Sequence, residues 1–205
     1  MTAESESVSQ TARIPYRAIV VTFLCVFVIG MCLAWAFLSM RAVAGVGGSC
    51  ASGGAYEIAT PCPEGSWLIA VAIPLMLIAM FSGSGFGMTI GAPAMLLPMW
   101  ALLFTALGWN FFEFGFADGS VSFIVCGVMF WGMALPAWWA MFVALKNTIL
   151  KRAPEETEKA RKERQAASAW SSGSLDGSIW WWVLYTVLGA GGAFFGVAVY
   201  ALASA

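Results

Sequence analysis

The chain has 205 residues, of which 60% are hydrophobic and only 10% are charged, and its mean hydropathy is +0.82. Its net charge of −1 gives no argument for nucleic-acid binding or for strong attraction to anionic lipid. Because the sequence contains no histidine, bis-histidine haem ligation, typical zinc sites and the commonest general base are excluded. We therefore expect no catalytic residue, no cofactor and no metal site, and a protein that is not an enzyme.

Five long apolar runs without Asp, Glu, Lys or Arg dominate the sequence. A helix needs about 20 apolar residues to cross a hydrocarbon layer of about 30 Å. The runs lack the apolar/polar alternation of transmembrane barrel strands. The sequence therefore predicts an all-α, polytopic transmembrane helical bundle with about five spans, at residues 18–40, 67–81, 92–108, 121–145 and 179–203.

The positions of the basic residues predict the topology. Seven of the ten Lys and Arg residues lie in 146–178, whereas the loops 41–66 and 109–120 contain only Arg41 between them. The positive-inside rule places the N-terminus and 146–178 in the cytoplasm and the two loops and the C-terminus outside. The second, third and fourth spans give three crossings between the first loop and 146–178. An odd number puts these two segments on opposite sides, which agrees with this N-in/C-out orientation. We expect a multi-pass protein of the cell membrane.

The first 17 residues contain Ser, Thr and Glu and predict a disordered cytoplasmic tail. The apolar run that follows, 18–40, is too long for the hydrophobic part of a signal peptide. We interpret it as an uncleaved anchor, with a cleaved signal as the alternative.

The loop 41–66 contains two cysteines, Cys50 and Cys62, among glycines and prolines that favour turns. Since the loop is placed outside, where disulfides persist, we predict a Cys50–Cys62 disulfide. Thiol–disulfide exchange is the alternative function of such a pair. That chemistry usually uses a C-x-x-C spacing, whereas eleven residues separate these cysteines. A structural disulfide is therefore favoured.

The same loop resembles that of small actinobacterial integral membrane proteins, in which a Cys–Gly-Gly-Tyr–Pro-Cys-Pro pattern follows a first transmembrane helix. The resemblance covers the first two spans and their loop, and it implies no activity. The matching residues are Cys50, Gly53, Gly54, Tyr56, Pro61, Cys62 and Pro63.

Two sets of glycines have the spacing of helix-packing faces. Gly83, Gly87 and Gly91 recur every four residues, and Gly192 and Gly196 form a G-x-x-x-G pattern in the last run. The stretch 82–93 contains four glycines and ends at a proline, so a re-entrant segment lining a path is an alternative. We favour a turn with one tightly packed helix pair. Whether the partner of the second set is internal or another subunit stays open.

Two acidic residues in the aromatic loop 109–120, Glu113 and Asp118, are candidates for a path or an interface. Aromatic surroundings could raise the pKa of Glu113. A wet, interfacial acidic residue is the favoured interpretation. In the fourth run, Trp138 and Trp139 are expected to face lipid or to pack between helices rather than to form a ligand cage.

The segment 146–178 combines a charged helix at 151–165 with a Ser/Gly-rich linker at 168–178. Glutamates precede the basic residues, an order that stabilises an isolated helix. We expect a solvated helix that fixes topology, with a docking helix for a partner as the alternative.

Two classes of function are compatible with these features. The first is a non-catalytic packing or accessory subunit of a membrane complex. The second is a small channel or transporter component that uses the 82–98 segment and Glu113. In either class the expected partners are the lipid bilayer and another membrane protein or a second copy of the chain, with no nucleic acid.

Overall fold

All regular elements in the described part of the chain are helices, as the sequence predicted. The structure is a computed structural model that describes residues 16–48, 50, 60–90, 92, 95–149 and 179–205. Its five helices are α1 (Tyr16–Gly45), α2 (Leu68–Thr89), α3 (Leu96–Asp118), α4 (Val121–Ile149) and α5 (Ile179–Ala203). Residues 1–15 of the predicted tail 1–17 and the predicted charged helix and linker at 151–178 lie outside the described residues. The last two residues of that tail, Tyr16 and Arg17, instead begin α1.

Four of these helices, α1, α2, α4 and α5, are long and apolar enough to cross a membrane. Helix α3 is of similar length, with 23 residues, but it also contains Asn110, Glu113 and Asp118. It nevertheless packs against α4 as one arm of an antiparallel hairpin. The all-α fold is therefore confirmed, whereas a crossing by α3 and the orientation of the bundle stay predictions.

Four helices, α1 to α4, continue beyond the apolar runs that predicted them, and the extension is longest at the ends of α2 and α3. Helix α2 ends at Thr89 instead of 81, and α3 ends at Asp118, so most of the predicted loop 109–120 is helical. An apolar run marks the part of a helix that suits hydrocarbon, whereas the helix itself ends where backbone hydrogen bonding is redirected. That point in α3 is Gly119, which has a φ of 66°, and Ser120 N–H donates to the Gly115 carbonyl at 3.0 Å.

Helix α1 is the centre of the bundle, because α2, α3 and α5 all pack against it. Thr22, Cys32 and Ser39 of α1 are fully buried. Contacts along the helices show that α2 runs antiparallel to α1, whereas α3 and α5 run parallel to it. The apolar core lies between α1 and α2 and is extended by Met95 and Met99 at the start of α3 and by Tyr185 of α5.

Helices α3 and α4 form a hairpin with only two residues between them. Gly108 of α3 lies directly beneath Trp131 of α4, where a Cβ atom would be 2.8 Å from the indole nitrogen. The Trp131 indole donates to the Thr105 carbonyl at 3.3 Å, and the Trp138 indole donates to Thr105 Oγ1 at 2.8 Å. Tryptophans thus link the two helices through hydrogen bonds as well as by packing.

Candidate functional site

The cysteine loop is placed at the end of the bundle where α1 finishes and α2 starts. Cys50 and Cys62 lie at disulfide-bonding distance, with Cα atoms 4.9 Å apart, as the sequence predicted for this pair. The last part of the loop turns at the buried Gly65, which has a φ of 79° and lies beside Tyr200 of α5. Gly53, Gly54 and Tyr56 lie outside the described residues, and the resemblance of the loop to that of actinobacterial membrane proteins stays a prediction.

The predicted acidic candidates have different surroundings. Glu113 forms a two-pronged ion pair with Arg41 at the end of α1, and the guanidinium also lies 5.7 Å from the Phe114 ring centre. The hydrogen bond and charge of Arg41 lower the pKa of Glu113, opposite to the rise that aromatic surroundings suggested. Asp118 is exposed at the end of α3. The Arg41–Glu113 pair therefore links two helices, and its side chains are about 40% exposed.

The first glycine set belongs to the contact between α1 and α2. A Cβ atom at Gly83 would lie 2.8 Å from the Cβ atom of Cys25, so the two helices meet closely there. One turn further, Gly87 faces Thr22 at an ordinary contact distance of 3.8 Å. Gly91 lies outside the described residues. The stretch 82–89 is thus continuous helix packed against α1, and the re-entrant interpretation of this part is wrong.

The second glycine set packs against α1 of the same chain, which answers the question of its partner. A Cβ atom at Gly192 would lie 2.8 Å from the Phe27 carbonyl carbon, and one at Gly196 would lie 2.7 Å from the Met31 carbonyl oxygen. These are backbone atoms, so the two helices touch without intervening side chains. Gly30 of α1 continues this contact from the other side, since a Cβ atom there would lie 2.8 Å from the Gly189 carbonyl carbon.

Two polar side chains that the sequence did not single out also join helices to α1. The buried Trp35 indole donates to the Gly196 carbonyl at 3.0 Å. Asn110 of α3 is 1% exposed, and its Nδ2 donates to the Phe37 carbonyl at 3.0 Å. An asparagine within an apolar, aromatic run was the available signal for this contact, because a buried amide needs a partner.

A cavity of about 500 Å³ lies between α1, α3, α4 and α5. It exists because α4 packs mainly against α3, whereas α5 packs mainly against α1, which leaves space between α4 and α5. Val26, Ile29 and Leu33 of α1 form one wall, and Met99 and Leu102 of α3 form another. A volume of this size falls within the range of pockets that bind small molecules.

Most polar groups around the cavity are already used within the protein. The Trp138 indole donates to Thr105 Oγ1, and the Thr186 hydroxyl donates to the Trp182 carbonyl. The indole nitrogen of Trp182 is buried and has no hydrogen-bond partner within the described part of the chain. The cavity is therefore apolar and suits hydrocarbon better than water.

The face of α4 that points away from α3 is apolar and exposed. Val128, Met129, Leu135, Trp139 and Phe142 are each 59–70% exposed. Trp139 lies beside Phe142, with ring centres 6.4 Å apart, and its lipid-facing or packing role stays a prediction. Trp138, by contrast, is 40% exposed and hydrogen-bonded to α3.

Gly132 and Pro136 interrupt this exposed face. No atom lies within 4 Å of a Cβ atom built at Gly132, so the helix backbone is open to close approach there. Pro136 has no N–H group, so the Gly132 carbonyl loses the hydrogen bond that a residue four positions later normally supplies. In hydrocarbon, such a carbonyl is stabilised by a donor from a neighbouring helix.

Comparison of this chain with protein-family models, with curated proteins and with solved structures found no match. The assignment of function therefore depends on the geometry of the helices, the cavity and the exposed face of α4.

Proposed function

We propose that the protein is a non-enzymatic accessory subunit that packs against another membrane protein through the exposed face of α4. The observation that carries this proposal is the pairing of Gly132 with Pro136 on that face. The glycine permits close approach of a second helix, and the proline frees a carbonyl that can accept a hydrogen bond across the contact. Trp139 and Phe142 supply large apolar surfaces beside this position, of the kind enriched in interfaces.

The alternative function, a channel or transporter component, has less support from the geometry. Its main candidate segment is α2 around Gly83 and Gly87, which is continuous helix packed against α1. Its acidic candidate, Glu113, forms an ion pair with Arg41 at the end of the bundle. Both features have a structural use within the fold.

The proposed cellular setting is the cell membrane, with the N-terminus and the 146–178 segment in the cytoplasm. The clustering of basic residues supports this orientation. In intact, reduced cells, a membrane-impermeant thiol reagent is expected to label Cys50 and Cys62 but not a cysteine engineered at Lys159. The reverse labelling pattern would invert the orientation.

The accessory role is tested by comparing two glycine-to-leucine variants. Gly132→Leu adds a side chain to the exposed face of α4, whereas Gly85→Leu adds one to α2; at both sites a new Cβ atom meets nothing within 4 Å. Each variant is purified from native membranes in mild detergent, and the mass of the assembly is measured. We expect the wild type and Gly85→Leu to retain a stoichiometric partner that Gly132→Leu loses. A partner retained by Gly132→Leu, or a wild type that purifies as a monomer, would refute the role assigned to α4.

The same measurement distinguishes the kind of partner, because a second copy of this chain would give a multiple of its 21.8 kDa mass. Flux through vesicles containing the purified wild type tests the transport alternative. A flux lowered by Gly83→Ala while the assembly mass is unchanged would favour transport over the accessory role.

A further inference from the structure

The cavity between α1, α3, α4 and α5 occupies one half of the bundle. Its lining residues in α1, α3 and α5 lie in the first half and around the middle of each helix. Those in α4 lie in the second half of that helix. This is the half that contains the start of α1 and the end of α4. The lining extends from this end to just past the middle of α1 and α5, so in a surrounding bilayer the cavity would face chiefly the hydrocarbon chains of one leaflet.

The chemistry of the lining selects an apolar occupant with a polar acceptor at one end. Met141, Ala190 and Ala193 offer only hydrocarbon or thioether surface. The Trp182 indole nitrogen has no partner within the described residues, but the atom is buried, so it can donate to an occupant only after its side chain turns toward the cavity. A glycerolipid combines a long hydrocarbon chain with an ester carbonyl acceptor next to it.

The charges near this end of the cavity favour an anionic headgroup. Lys146 is exposed and lies five residues beyond the lining residue Met141, which is about 7.5 Å along the axis of α4. Arg17 is exposed at the start of α1, at the same end of the bundle. Among the described residues of this end there is no Asp or Glu, so those residues carry a net positive charge, although the net charge of the chain is −1. Basic residues at a membrane surface attract anionic lipids.

We propose that this cavity binds one acyl chain of an anionic glycerophospholipid, with the lipid phosphate near Lys146. The lipid enters laterally from the bilayer, through the space between α4 and α5. This space exists because α4 packs mainly against α3, whereas α5 packs mainly against α1. The cavity-lining residues of α4, Trp138 and Met141, are distinct from the face to which the accessory role is assigned. Lys146, by contrast, continues the row of Trp139 and Phe142 on that face.

The test uses the purified, delipidated full-length protein and native mass spectrometry. Dioleoyl phosphatidylglycerol and dioleoyl phosphatidylcholine are titrated separately, and the dissociation constant of the first bound lipid is measured. Ala190→Trp fills the cavity, because Ala190 is an exposed residue of its lining. Ala198→Trp is the matched control, since Ala198 is also exposed on α5 but does not line the cavity.

We expect phosphatidylglycerol to bind Ala190→Trp at least about tenfold more weakly than the wild type or Ala198→Trp. Lys146→Gln is expected to reduce the preference for phosphatidylglycerol over phosphatidylcholine about fivefold, as the loss of one cationic partner implies. Equal binding by Ala190→Trp and Ala198→Trp would refute the cavity as the site. An unchanged headgroup preference in Lys146→Gln would refute the placement of the phosphate.

A third arm uses only the wild type, in case Ala190→Trp does not fold. Dihexanoyl phosphatidylglycerol, with its short chains, is expected to bind much more weakly than the dioleoyl lipid, because the cavity is filled by hydrocarbon. Equal affinity for the two chain lengths would overturn the proposal. Tighter binding of free oleate than of phosphatidylglycerol would also overturn it, since the ligand would then be a fatty acid.

Discussion

Replacing Gly192 by alanine tests whether direct backbone contact holds α5 against α1. The new Cβ atom would lie 2.8 Å from the Phe27 carbonyl carbon and closer still to the carbonyl oxygen, whereas ordinary contact starts at 3.4 Å. The helices must therefore separate by at least 0.6 Å (3.4 − 2.8), since a backbone carbonyl cannot rotate away as a side chain can. A gap of about 0.5–1 Å loses a quarter to a half of the attraction between facing atoms.

Gly191→Ala is a matched control for this substitution. Its Cβ atom would lie 3.9 Å from the Phe27 ring, which is ordinary contact. Both variants gain the same helix propensity, about 1 kcal/mol for alanine over glycine. The difference between them therefore measures the steric cost, which we expect to be about 1–3 kcal/mol.

The assay is unfolding by titration with sodium dodecyl sulfate in mixed micelles, followed by near-ultraviolet circular dichroism. Gly192→Ala should unfold at a lower detergent fraction than the wild type or Gly191→Ala. If the two alanine variants unfold at the same point, α1 and α5 do not meet through their backbones and the arrangement of the bundle is wrong.

Three further predictions concern hydrogen bonds and covalent links between helices. Trp35→Phe removes an indole donor while keeping the aromatic ring, so it should lower the free energy of unfolding by about 1 kcal/mol in the same assay. Glu113→Gln should lower the melting temperature at neutral pH. Because the folded-state pKa of Glu113 is depressed by Arg41, the stabilisation exists above the unfolded-state pKa and is lost as the pH falls through the folded-state pKa. The variant and the wild type should therefore melt alike in acid, and a constant difference across pH would contradict this cause. Cys50→Ser should destabilise the protein by about 3 kcal/mol through loss of the link to Cys62, with no further effect of a reducing agent; an additional loss on reduction would show that the link is elsewhere.

The sequence predicted the class of fold and several of its contacts because these depend on local composition. Long uncharged runs predict helices that suit hydrocarbon, and the spacing of Gly192 and Gly196 predicts a face for close packing. The bounds of α5 agree fully with the last apolar run. The disulfide distance between Cys50 and Cys62 was predictable because no other pair of cysteines lies outside the apolar runs.

The remaining features depend on which helices become neighbours, and single-chain patterns do not contain that information. The spacing of Gly83 and Gly87 is equally compatible with a packed helix and with a flexible segment. Only their contact with α1 distinguishes the two. The pairing of Arg41 with Glu113 requires α1 and α3 to run parallel and to end at the same level. The cavity could not be predicted, since it results from two helices that are held apart by different partners.

The contact between α1 and α5 joins the first helix to the last, and Trp35 and Gly196 are 161 positions apart. At a synthesis rate of roughly 5–20 residues per second, the ribosome needs about 8–30 s to produce the chain between them. During that interval the surface of α1 around Phe27, which α5 covers in the folded protein, stays exposed. Chains that stop before residue 179 are therefore expected to be preferred substrates for the proteases that clear unfinished membrane proteins, and their half-lives in pulse-chase labelling should be shorter than that of the complete chain.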